Sequence, residues 1–168
     1  DKGWQLYRDK PLVLHALEHL QCCDETLVSA NRNITDYEAL GIRVVQDIRP
    51  DYQGPLSGIE SAMLNSDADW FYVVPVDVVG MPQDWLVHLQ QQALASSSPW
   101  VGTRDGERLQ PLLGLWSRTL LESIATYLDS GERRVMKFVE TYQPHALALP
   151  SDIRLLNLNS ANEINSSA

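Results

Sequence analysis

Asp77 closes an apolar run. Asp69-Trp70-Phe71-Tyr72-Val73-Val74 precedes it, and the tract continues as Pro75-Val76-Asp77-Val78-Val79-Gly80-Met81-Pro82. A run of this kind reads as a buried strand of a parallel sheet. A carboxylate at the carboxyl end of such a strand stands on the edge where open α/β sheets bind ligands. One carboxylate there suits a divalent cation, usually Mg²⁺, held against substrate phosphates. The same aspartate would also serve as a turn residue or a helix N-cap.

Four further tracts carry polar groups at the ends of apolar runs. Gly54-Pro55-Leu56-Ser57-Gly58 stands just ahead of a helical pattern. Its glycines let backbone N–H groups approach a ligand, and a helix start favours anions or a base edge. Alone, the tract is equally a tight turn. Asp47 follows the preceding strand on the same edge, where it could instead cap the loop. Ala30-Asn31-Arg32 also follows a strand directly. Its amide and guanidinium could read a nucleobase or hold a phosphate, or could simply be solvated. Asn157 and Asn159 lie two apart after an apolar run, so an extended segment puts both on one face. They could complete a metal or phosphate site beside Asp77, or Asn159 could cap a terminal helix.

Gly131-Glu132-Arg133-Arg134-Val135 places two cations at a predicted helix start, against the macrodipole. An anionic partner accounts for that conflict, and so does a salt bridge to Glu132 or Asp129. His15 and His19 share a helix face but have no third metal ligand nearby, so the histidines read as structural. No nucleophile elbow is present.

The elements that must position these residues alternate. Pro11 to Gln21 has helical spacing, and Thr26–Ala30 reads as a strand. Ile34–Leu40 is a short helix capped by Asn33 or Thr35, Ile42–Val45 a strand, and Ser57–Leu64 a helix. The Asp77 strand comes next, then a helix from Pro82 to Leu94. Trp100–Gly102 and Pro111–Trp116 flank a turn at Asp105-Gly106 and suggest an antiparallel edge. Helices over Arg118–Leu128 and Arg133–Glu140 and late strands at His145–Leu149 and Leu155-Leu156 complete the pattern. Strand–helix alternation predicts an α/β three-layer sandwich with a mostly parallel sheet.

The 168 residues suit one domain with a real core, and 44% hydrophobic content places the chain among globular proteins. A net charge of -9 argues against a nucleic-acid surface. It leaves room for phosphate ligands, because a metal and a few placed cations invert the local field. The adjacent Cys22 and Cys23 have neither redox-motif nor zinc spacing and read as buried or half-buried thiols. No apolar run is long enough to span a membrane, and no signal peptide is visible.

Taken in order, Asp1-Lys2-Gly3, Lys10-Pro11-Leu12, Ala30-Asn31-Arg32, Gly54-Pro55-Leu56-Ser57-Gly58, Pro75-Val76-Asp77, Gly131-Glu132-Arg133-Arg134-Val135 and Asn157-Leu158-Asn159 resemble the molybdenum cofactor guanylyltransferases, the MobA family. The resemblance covers nearly the whole chain. It implies a Rossmann-like nucleotidyltransferase sandwich that joins GMP from GTP to molybdopterin and releases pyrophosphate, with Mg²⁺ as cofactor. It further implies that Lys2 contacts the GTP phosphates and that Asp77 ligates the metal. By the same likeness Asn31, Asp47 and the loop Gly54, Pro55, Leu56, Gly58 line the guanosine pocket. Asn157, Asn159 and Arg133 fall to the second substrate. Molybdenum-insertion and molybdoenzyme chaperone proteins would be partners, and the cytoplasm the compartment.

The family opens with a strand and a Leu-Ala-Gly-Gly loop ahead of the Asp-Lys-Gly motif, and this sequence does not contain them. The expectation is one domain over 1–168 without that first strand, leaving an open slot and unpaired backbone in mid-sheet. Ser57 stands where the family has alanine. A cytidylyltransferase for the same cofactor and a sugar-phosphate nucleotidyltransferase share the expected fold, though the Gly54–Gly58 loop favours guanine. A non-catalytic nucleotide-binding protein is a further reading, opposed by the presence of both Lys2 and Asp77.

Overall fold

The computed structural model describes residues 1–140, 142 and 145–158. A 3-10 turn, Lys2–Trp4, leads into a hairpin of β1 (Leu6–Tyr7) and β2 (Lys10–Pro11). Arg8 and Asp9 form its tip with φ of 50° and 60°, the twist that a two-residue hairpin turn requires. Then follow α1 (Leu12–Glu18), β3 (Leu27–Ser29), α2 (Ile34–Glu38), β4 (Arg43–Val45) and α3 (Pro55–Leu64). The second half contains β5 (Trp70–Val73), β6 (Val78–Val79), α4 (Trp85–Ser96), β7 (Trp100–Asp105), β8 (Arg108–Ser117), α5 (Leu121–Asp129), α6 (Val135–Glu140), β9 (Leu147–Ala148) and β10 (Leu156–Asn157).

Four strands pair in the order β5-β8-β7-β9. Period-two alternation sends their side chains to two faces. Val101, Leu113 and Leu115 meet Trp85, Leu86 and Leu89 of α4 on one face. Trp100 and Trp116 meet Leu56, Ile59 and Met63 of α3, Ile124 and Leu128 of α5 and Phe138 of α6 on the other. Helices on both faces of a sheet make the three-layer α/β sandwich. Gly102 and Gly114 are register partners in β7 and β8, and a Cβ on Gly102 would stand 2.2 Å from the Trp100 ring. Gly102 thus makes room for the Trp100 ring, and Gly114 for the Val101 carbonyl, 2.2 Å from where its Cβ would stand.

The pairing is mixed rather than mostly parallel. β3–β4 and β7–β9 are parallel, whereas β8 runs antiparallel to both β5 and β7. The tract expected to form an antiparallel edge is thus the centre of this sheet, because the β7–β8 hairpin extends to Ser117 and covers β5. Hairpin geometry, not strand–helix alternation, decides that local direction.

β3 pairs only with β4 and β5 only with β8 among the described residues. A cleft of about 640 Å³ separates the pairs, lined by Leu27 and Ser29 on one side and Phe71, Tyr72 and Val73 on the other. α3 and α4 flank it through Ile59 and Leu86. Cys23 is half-buried beside the cleft and Cys22 is exposed, a correction to the reading of both as covered. No helix among the described residues is long and apolar enough to cross a membrane.

Candidate functional site

Lys2 and Asp77 meet. The Lys2 ammonium donates to Asp77 Oδ2 at 2.9 Å across a separation of 75 residues. Asp77 follows β5, and Leu158 N–H donates to its carbonyl at 2.8 Å. β10 continues that contact, placing Asn157 opposite Val78 in the antiparallel β6–β10 pair. Asp77 and Asn157 are therefore brought to one place by main-chain pairing. Asn159 lies outside the described residues.

A second cluster joins the loops after β3 and β4. The Asn31 amide donates to Asp47 Oδ2 at 2.9 Å, and Asp47 N–H donates back to Asn31 Oδ1 at 2.9 Å. This reciprocal pair ties the two strand ends together and holds the Asp47 carboxylate beside α3. Gly58, in the first turn of α3, approaches so closely that a Cβ there would lie 2.6 Å from Ser29 Oγ and 3.7 Å from Asp47 Oδ1. Gly54 sits at φ 82°, a left-handed conformation that favours glycine, and Pro55 opens the helix behind it. Leu56 is fully buried and anchors this turn to the core. Asp47, Gly54, Pro55 and Gly58 line the cleft together with Val74 and Pro75, the approach to Asp77.

Arg133 goes elsewhere. Its guanidinium donates at 2.7 Å to the carbonyl of Leu128, at the carboxyl end of α5, and at 2.6 Å to that of Glu132 in the connection to α6. A cation belongs at that negative helix end, so Arg133 and the macrodipole agree once the preceding helix is considered. α6 begins only at Val135. None of the described hydrogen bonds of Arg133 reaches another candidate residue.

Tyr52, Arg49, Glu60 and Arg8 carried no signal of their own in the sequence. Arg32 donates to Tyr52 OH at 2.9 Å and lies over its ring, linking the β3 and β4 loops a second time. Tyr52 and Asp51 both have positive φ, 47° and 64°, which holds the exposed Tyr52 ring out from the loop. Arg49 makes a two-pronged ion pair with buried Glu60, at 2.5 and 2.8 Å, and reaches Asp129 at 2.6 Å. Glu60 first, then Asp129, push the Arg49 pKa up. That network fixes the segment between Asp47 and Gly54 on α3 and α5. A hollow of about 340 Å³ beside β6 places Arg8, His19 and Arg154 near Val78 and Val79. Arg8 was detectable only as the tip of a hairpin whose short strands carry little pattern.

The arrangement tests the fit of a metal. No group of three or more His, Cys, Asp or Glu able to hold a metal occurs among the described residues. Mg²⁺ does not need one, since it keeps several waters and takes one or two carboxylates plus substrate phosphates. Asp77, with a side chain 23% exposed, fits that role. What the site offers is therefore two carboxylates, Asp47 and Asp77, the Lys2 ammonium and a glycine-flanked helix start.

Comparison with known proteins bears on the family and the fold. A molybdenum cofactor guanylyltransferase from Pasteurella multocida is 35% identical over 150 residues, which cover 89% of this chain and 78% of that protein. Molybdopterin-guanine dinucleotide biosynthesis protein A from Archaeoglobus fulgidus superposes with a TM-score of 0.77 at 16% identity, covering 99% of this chain and 88% of that one. The 2-C-methyl-D-erythritol 4-phosphate cytidylyltransferase from Thermus thermophilus superposes with a TM-score of 0.73 at 12% identity, covering 98% and 91%. The latter two likenesses establish the nucleotidyltransferase fold. Residues 1–147 match the model of the MobA-like NTP transferase domain, and the chain belongs to that family.

Proposed function

We propose that this nucleotidyltransferase transfers GMP from GTP to molybdopterin, with Mg²⁺ as its cofactor. The observation that carries the reading is the meeting of Lys2 and Asp77 at 2.9 Å, two residues beyond Pro75, which lines the same cleft as Asp47, Gly54 and Gly58. The likeness to the Pasteurella molybdenum cofactor guanylyltransferase supports the guanylyl donor and the cofactor acceptor.

The reaction is an in-line displacement. An oxygen of the molybdopterin phosphate bonds to the α-phosphorus of GTP, the bond to the β-phosphate oxygen breaks, and pyrophosphate leaves with that electron pair. The attacking oxygen is already anionic, so no general base is required. The protein's task is positioning and charge neutralisation. Lys2 supplies a mobile point charge for phosphates that become more negative as pyrophosphate departs. Asp77 would hold Mg²⁺, whose charge offsets the repulsion between anionic nucleophile and triphosphate. Asp47 offers a carboxylate acceptor to the N–H edge of guanine, and the Gly54–Gly58 turn lets backbone approach the base. Asn157, beside Val78, faces the molybdopterin side in this reading, and Asn159 follows it. To act on the same side, Arg133 would first leave the Leu128 and Glu132 carbonyls. Delivery partners among molybdenum-insertion and molybdoenzyme chaperone proteins, and a cytoplasmic setting, belong to the same proposal.

Pyrophosphate release with GTP, Mg²⁺ and molybdopterin tests it directly. GTP is expected to be used and CTP to be poor, and Asp77→Ala to abolish turnover while the melt is unchanged. Equal use of GTP and CTP by the parent protein overturns the guanylyl assignment. Near-parental turnover of Asp77→Ala at millimolar Mg²⁺ removes Asp77 from the site.

A further inference from the structure

Lys2 reaches Asp77 from a turn that has its own clamp. Asp1 Oδ1 accepts from Gly3 N–H at 3.0 Å and from Tyr37 OH at 2.8 Å. Asp1 Oδ2 accepts from the Asn33 amide at 3.2 Å. Tyr37 is the buried residue of α2, 3% exposed, and its ring contacts Trp4 with centroids 5.2 Å apart. The fit leaves no slack, since a Cβ on Gly3 would stand 2.3 Å from Tyr37 OH. Asn33, at φ 51°, makes no cap bond to its own helix and gives its side chain to Asp1 instead.

We infer that Tyr37, with Asp1 as its acceptor, is a positioning residue that sets the Lys2 ammonium at the phosphate-facing end of the cleft. The inference rests on the proposed role of Lys2. Three donors converge on one carboxylate and fix the residues on both sides of Lys2. A lysine alone is a poor device for placing a charge, because its four-carbon stem carries large rotamer entropy. Holding the residues at both flanks fixes where that stem starts, so only its rotamers remain to be set when the nucleotide arrives. Burial, with a smaller contribution from Asp36, raises the Tyr37 phenol, so it remains a donor throughout the neutral range. The clamp also connects α2 to the loop bearing Asn31 and Arg32, so Lys2 is registered against the same segment that ties to Asp47.

Tyr37→Phe keeps the ring and removes only the donor. Two measurements test it. The first needs no substrate: brief acetylation read by mass spectrometry at Lys2, Lys10 and Lys137. The ion pairs of Lys10 with Glu18 and of Lys137 with Glu132 make those two lysines internal controls. Acetylation of Lys2 is expected to rise several-fold in Tyr37→Phe and in Asp1→Ala while the controls hold. An unchanged Lys2, or all three rising together, overturns the inference. The second measurement is pyrophosphate release. Tyr37→Phe is expected to lower kcat/KM on the order of 10-fold, chiefly in kcat, and to have no further effect in a Lys2→Ala background. An equal loss in both backgrounds means that Tyr37 only supports the fold. A Lys2→Ala variant that turns over at the parental rate sinks the role of Lys2 instead, and the acetylation result still stands apart from it.

Discussion

Arg49 carries the largest stability prediction. It lies in the loop between Asp47 and Gly54, and its guanidinium is the counter-charge to Glu60, whose side chain is 3% exposed. Arg49→Met keeps most of the apolar stem but strands that carboxylate in the core. Removing one partner of a buried pair typically costs about 3–5 kcal/mol, most of it the uncompensated charge left behind. The Asp129 arm adds little, because that side chain is 68% exposed and its pair is screened by water. Loss of the bond to the Ala125 carbonyl, at 3.3 Å, is minor for the same chain. The expected destabilisation is therefore about 3–4 kcal/mol, taken from the buried arm alone. In a domain of this size that lowers Tm by roughly 6–15 °C.

The control is the double replacement Arg49→Met/Glu60→Met. It removes both charges, so the desolvation penalty goes with the attraction, and most of the lost stability is expected to return. Urea unfolding of the parent, both single variants and the double gives the coupling energy directly. A single Arg49→Met that costs less than about 1 kcal/mol, or a double that is no better than it, refutes the reasoning that the pair is a desolvated unit. GTP KM should rise in Arg49→Met even where the protein remains folded, because the loop from Asp47 to Gly54 loses its anchor on α3.

Four smaller predictions follow from other contacts. Lys2→Ala is expected to lower kcat/KM by on the order of 10²-fold or more with an unchanged melt, since its side chain is 46% exposed and the loss is one charge contact in the transition state; parental turnover would make it a solvated charge. Gly58→Ala forces its new Cβ against Ser29 Oγ, 2.6 Å away, so GTP KM should rise about tenfold and Ser29→Ala should restore part of it; a Gly58→Ala enzyme with parental KM refutes the close approach. Iodoacetamide at pH 8 should label exposed Cys22 first, because burial, and next to it Cys22, push the Cys23 thiol up to about 11; that shift costs no stability at neutral pH and lowers it only above about 8.5, where the unfolded thiol ionises. Hydrogen exchange should be fast at the cleft-facing amides of β3 and β5 and slow in the β7–β8 hairpin, and uniform protection across all four strands would deny an open edge.

The alternation of strands and helices was readable because each element shows its own period. β3, α2, β4, α3, β5 and α4 fall within a few residues of their expected places, and a polar group stands after each early strand as the pattern indicates. The hairpin of β1 and β2 and the strand β6 were not readable. Each has two residues, too few for any periodicity, and each exists through its partner. The position of β8 between β5 and β7 was hidden for a related reason. Strand order is set by long-range pairing, and an apolar run such as Pro111–Trp116 looks alike at an edge and at a centre.

The candidate site divides along the same physical line. Asn31, Asp47 and Asp77 were detectable because each lies just beyond an apolar strand, and Gly54 and Gly58 because they flank the start of α3, the places where an α/β fold gathers ligand groups. What no local pattern contained was how they hold one another. Asn31 spends its amide on Asp47, and Lys2 spends its ammonium on Asp77. Arg133 shows the converse. Its position looked like a conflict because only the helix after it was weighed, and the helix before it, ending at Asp129, supplies the Leu128 carbonyl that resolves the conflict. A charged residue between two helices is governed by both dipoles, and the nearer free end wins. Tyr37 was invisible for a third reason: an aromatic on the buried face of a five-residue helix reads as core, and only the Asp1 carboxylate 36 residues away turns its hydroxyl into a clamp on Lys2.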